Sequence, residues 1–209
     1  MKEERKKMAN KAHEEIPGNP SVSTSSSQKL NDRSNGKPLR VLTEEDWQFW
    51  IHNGYIVIKN AIPKDQAKAT ADFIWEFDEK DPNDPSTWYA KPRAEMQMKE
   101  LAGTGMVEAY NHQTLWNNRQ MQKVYNAFVD VWGTDKLWVT IDRVNLNFPQ
   151  RSGEEKEGFI HWDYDPETRP QNVQGVIALA DQMDENMGGF QCIPWLYRNY
   201  DTWKLTQSD

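Results

Sequence analysis

One cysteine, Cys192, is all that the 209 residues contain. Internal disulfides are therefore excluded, and the chain fits a reducing compartment. No apolar run approaches the ~20 residues that a membrane span requires. Basic residues are outnumbered, 25 Lys and Arg against 32 Asp and Glu, for a net charge of −7. That balance argues against nucleic-acid binding, which needs clustered cations on phosphate. Internal repeats are absent. Lys2, Arg5, Lys6 and Lys7 have no apolar stretch behind them, so they do not form a secretory signal. A cytoplasmic protein with neither membrane nor nucleic acid as partner is the expectation.

What is present divides unevenly. Hydrophobic residues make up 37% of the chain, and the first forty positions are almost all polar. Residues 1–39, with Lys/Glu runs and the Ser-rich patch Ser21 to Ser27, cannot bury enough apolar surface to offset chain entropy. They read as a disordered tail, with a short solvated helix over Glu3 to Glu15 as the alternative. Residues 40–209 suffice for one domain with a sizeable core. Ten tryptophans are expected to supply much of that core.

Thr43 followed by Glu44, Glu45 and Asp46 predicts a helix N-cap with an acidic first turn. Trp47, Trp50 and Ile51 share one face of that helix, and Gly54 is placed to end it. Tyr55 to Ile58 reads as a strand, Lys64 to Glu79 as a second helix, and Asp81 to Pro85 as a loop. Met98 to Trp132 is mixed helical material, with Met121 to Val131 one helix. Beyond Gly133 the pattern turns β-rich: Leu137 to Asn147, Phe159 to Asp163, Val173 to Leu179 and Gly188 to Ile193, with a charged loop from Gln150 to Gly158. Helices first and short strands later imply an α+β protein with an antiparallel sheet or barrel.

The segment with most chemical promise is His161-Trp162-Asp163. In a strand, residues i and i+2 face the same way, so imidazole and carboxylate converge. That pairing suits a facial site of two histidines and one carboxylate, which leaves coordination positions open. Alone, the spacing equally describes a solvated polar strand end.

Four segments in order give the spacing a context. Thr43 to Trp47 with Asn53 to Ile58, then Arg143 to Asn147, then His161-Trp162-Asp163, then Gly188 to Pro194 resemble the phytanoyl-CoA dioxygenase family. The resemblance runs from about residue 41 to the C-terminus. It implies a double-stranded β-helix (jelly-roll) with flanking N-terminal helices. The implied activity is Fe(II)- and 2-oxoglutarate-dependent hydroxylation of a small organic substrate by O2, with succinate and CO2 released. His161 and Asp163 would be metal ligands. Asn145 would hydrogen-bond the 2-oxoglutarate, unless it is an ordinary strand polar group, and Gln174 on the next strand is a second candidate for that pocket.

The resemblance also implies a later histidine ligand and an arginine that pairs with the far carboxylate of 2-oxoglutarate. No histidine follows His161; His13, His52 and His112 all precede it, and Arg198 is the only arginine after Arg169. The expectation is a jelly-roll incomplete at the C-terminus, lacking its last strands. A ligand from another chain, or a degenerate member without catalysis, are the alternatives. Exposed sheet edges would then favour instability, swapping or aggregation. A non-catalytic jelly-roll binding protein is the second functional class, and a metal-dependent hydrolase lacks a supporting ligand cluster. His112 is expected to be structural, Cys192 a buried small hydrophobe, and Asp165 part of a turn with Pro166.

Overall fold

Thr43 starts the first helix as its neighbours require. Its hydroxyl accepts the Asp46 N–H at 3.0 Å, and the Asp46 carboxylate accepts the Thr43 N–H at 3.0 Å. This reciprocal capping box satisfies donors at a helix start that have no partner within the helix. It also holds the Asp46 carboxyl below its ordinary pKa, through the backbone hydrogen bond first and the hydroxyl second. Helix α1 (Glu44–Asn53) ends where Gly54 takes φ 75°, its N–H bonded to the Trp50 carbonyl. The structure, a computed structural model, describes residues 30–90, 105–149, 160–163, 165–167, 171–184 and 187–207.

The remaining described elements are α2 (Lys64–Phe77), α3 (Pro85–Trp88), β1 (Met106–Val107), α4 (Gln113–Arg119), α5 (Gln122–Trp132), β2 (Val144–Asn145) and α6 (Pro194–Lys204). β1 and β2 pair antiparallel, Met106 opposite Asn145 and Val107 opposite Val144. Two apolar clusters hold α1, α2, α4, α5 and the β1–β2 pair. Ile74, Val107, Ala109 and Leu115 join α2, β1 and α4, with Phe73, Phe77 and Leu179 against them. Leu42, Trp47 and Val131 join α1 to α5, with Trp50, Ile56, Ile58 and Val173 packed around.

Polar groups lock both junctions. Between α2 and α4, Asn118 donates to the Thr70 hydroxyl at 2.9 Å and accepts from Gln66 at 2.7 Å, while the Thr70 hydroxyl donates to the Gln66 carbonyl. On α5, the buried Asp130 carboxylate accepts three backbone N–H groups, from Arg40, Val41 and Leu42, at 2.7, 2.8 and 2.9 Å. Residues 30–39, assigned by composition to the tail, lie against the same helix: the Asn31 N–H reaches the Val131 carbonyl and the Trp50 indole donates to Asn31. The rest of the expected tail (residues 1–29) and the Gln150 to Gly158 loop lie outside the described residues.

Several expectations need adjusting. Ile51 is exposed, because the second cluster contacts only the Trp47 and Trp50 side of α1. Tyr55 to Ile58 keeps its alternation, with Ile56 and Ile58 against the core and Val57 exposed, yet forms no strand. Among the described residues the sheet is β1 with β2, and the segments 137–143, 173–178 and 188–193 carry no strand. The jelly-roll implied by the resemblance is not displayed by these residues. The tryptophans are also less uniformly interior than expected: Trp47 is buried, whereas Trp138, Trp162 and Trp195 are exposed. No helix among the described residues is long and apolar enough to cross a membrane.

Candidate metal centre

His161 and Asp163 do converge. Nε2 of His161 lies 3.2 Å from Oδ1 of Asp163, and each side chain is about half exposed, at 49%. The segment is not a strand, but with Trp162 alone between them the two side chains still meet. The other carboxylate oxygen, Oδ2, accepts the Gln174 side-chain amide at 2.7 Å. Three of the four residues named from the sequence therefore form one hydrogen-bonded group. Asn145, exposed on β2 opposite Met106, is not a member of that trio.

The spacing can be tested against iron. Two adjacent ligands on a six-coordinate ion, with bonds of roughly 2.1 Å, sit roughly 3 Å apart. A charge-assisted N–H···O⁻ bond is shorter, at ~2.7–2.9 Å. At 3.2 Å the two groups make a long imidazole–carboxylate hydrogen bond, and the case for a metal rests on the donor types. An imidazole with a carboxylate is a donor set that suits Fe(II), and the exposure of both leaves access for further ligands. Residues and group fit. Among the described residues no cluster of three or more His, Cys, Asp or Glu side chains gathers to hold a metal.

Trp162, between the two, packs away from them. Its ring meets Tyr200 of α6 edge-on, at 5.5 Å and 77°. The Tyr200 hydroxyl donates to Glu167 at 2.8 Å, and Lys204 donates to the same carboxylate at 3.1 Å. Desolvation, then the hydrogen bond to Glu167, raises the Tyr200 pKa; the Glu167 bond raises that of Lys204. Helix α6 thus docks beside the segment carrying His161 and Asp163. The sequence reading missed it, although Pro194 in the first turn and aromatic Tyr200 and Trp203 three residues apart were available signals.

The other candidates have structural employment. His112 caps α4, its Nδ1 accepting the Thr114 N–H, and its ring stacks on Phe73 at 3.6 Å and 6°. Asp165 accepts the Glu167 N–H, closing the turn at Pro166. Arg198 donates to Asn53 at 3.0 Å and ties α6 to α1. Cys192 is exposed rather than buried, since residues 188–193 lie on the surface. Partial desolvation raises its thiol pKa, which opposes nucleophilic use. Two hollows lie elsewhere, between residues 32–40 and the end of α5, and the His161–Asp163 pair is half-exposed.

The chain is 28% identical over 145 residues to the Ava biosynthesis cluster protein O of Aspergillus versicolor. The matched stretch covers 65% of this chain and 45% of that protein, less than half its length. No family model matches the chain. No solved structure matches it either.

Proposed function

We propose that the chain acts as an Fe(II)- and 2-oxoglutarate-dependent dioxygenase of the phytanoyl-CoA dioxygenase type, hydroxylating a small organic substrate with O2 on a double-stranded β-helix. The meeting of an imidazole and a carboxylate at His161 and Asp163 carries this reading. His161, in its neutral form, offers the Nε2 lone pair, and Asp163 offers Oδ1 and part of the neutralising charge. Iron, once bound with 2-oxoglutarate and O2, supplies the oxidising chemistry, which the protein has only to position. Exposure of the pair leaves room for the cosubstrate, and Asn145 is assigned a hydrogen bond to it. Trp162, held by Tyr200, braces the segment from behind. The relative, a biosynthesis cluster protein by name, supports an enzymatic role in general terms. A cytoplasmic location, with neither nucleic acid nor membrane as partner, accompanies the proposal.

A second reading is a non-catalytic binding protein. It is favoured by the lack of a three-membered His, Cys, Asp or Glu cluster among the described residues. Anaerobic titration with Fe(II) and 2-oxoglutarate separates the two. The oxygenase gives a weak visible metal-to-ligand charge-transfer band that a chelator removes and that His161→Ala lacks. Absence of a band from the unaltered chain rejects the iron site and leaves the binding protein.

A further inference from the structure

We propose that Gln174 is the positioning residue of this centre, fixing Asp163 so that one carboxylate oxygen is presented beside His161 while the other is withheld. The inference rests on the metal reading above.

A carboxylate on open surface has two equivalent oxygens and two torsions with which to turn them. Here they are not equivalent. Oδ1 stands 3.2 Å from His161 Nε2, and Oδ2 accepts the Gln174 amide at 2.7 Å. An ionised carboxylate only accepts, so the amide face toward it is the NH2. That donor competes with a cation for Oδ2, and Asp163 is left to bind through Oδ1. Polar partners of this kind orient metal ligands and tune their affinity.

Gln174 can do this because its backbone is anchored on both sides. Val173 packs against the cluster of Leu42, Trp47 and Val131. At Gly175 the chain runs so close to α5 that an added Cβ would meet the Phe128 ring at 3.1 Å. The Gln174 side chain itself is exposed. It is a fixed post from which the amide reaches a carboxylate 11 residues away in sequence.

The test is a titration of the full chain with Co(II), an air-stable substitute for Fe(II), followed by its visible absorption. Gln174→Met keeps the length and removes the donor; Gln174→Ala removes both. Each is expected to bind Co(II) roughly 10- to 100-fold more weakly. An altered band intensity is also expected, as Asp163 is no longer held with Oδ1 toward His161, with an unchanged melting temperature because the side chain is exposed. Wild-type affinity and spectrum in Gln174→Met would overturn the positioning role and leave the metal centre standing. If the unaltered chain shows no Co(II) binding that His161→Ala abolishes, both proposals fall.

Discussion

Asp130 carries more of the structure than any sequence motif suggested. Its carboxylate is only 5% exposed and gathers the N–H groups of Arg40, Val41 and Leu42, just before the Thr43 cap. Backbone donors removed from water need such a partner. The side chain therefore fixes how the chain enters α1. Asp130→Ala strands three donors, one of them buried, and is expected to cost about 3 kcal/mol in urea unfolding. Asp130→Asn retains one accepting oxygen and should fall between the two. A loss under ~1 kcal/mol in the alanine variant would mean water replaces the carboxylate and the anchor is dispensable. The same logic separates Asp130 from Asp163, whose half-exposed carboxylate is poorly placed to stabilise the fold.

Helix ends were legible where a few adjacent residues decide them. Thr43 with Asp46 begins α1 and Gly54 ends it, as the sequence predicts, and α2 starts at Lys64 and stops two residues short of Glu79. Strands depend on partners far along the chain, and the sheet of the described residues is two residues wide on each side. The convergence of His161 and Asp163 was likewise readable because they are two residues apart. The Gln174 contact was not, since nothing local links residue 174 to residue 163. Helix α6 shows how such distant contacts reach back to a turn: a Cβ at Gly54 would lie 2.7 Å from the Tyr197 ring. Gly54→Ala meets that clash in addition to the ~1–2 kcal/mol cost of left-handed backbone. It is expected to destabilise the chain by at least ~2 kcal/mol and to open α6 to proteolysis at Lys204. A small change in melting with α6 still protected would show that α6 docks without this contact.

At the scale of the whole molecule, the apolar surface is too large for the core it accompanies. Two small clusters bury the helices, while Trp138, Val176, Met183 and Leu205 are more than four-fifths exposed and Phe190 is 65% exposed. Three of these, Trp138, Val176 and Phe190, fall in segments that read as strand in the sequence yet form none among the described residues. Monomeric proteins rarely present contiguous apolar patches beyond a few hundred Å², and unpaired extended chain recruits other chains. The 209-residue chain by itself is therefore expected to self-associate, with a sedimentation coefficient that rises with concentration. Replacing Trp138 and Val176 by lysine should reduce association without lowering the melting temperature, because neither side chain contributes to the buried clusters. A monodisperse monomer with a sharp cooperative melt would refute this, and would mean that these side chains find cover within the chain itself. The distinction bears on the proposed metal site, since His161 and Asp163 lie in another segment whose pattern reads as strand, and its ordering sets how firmly they face one another.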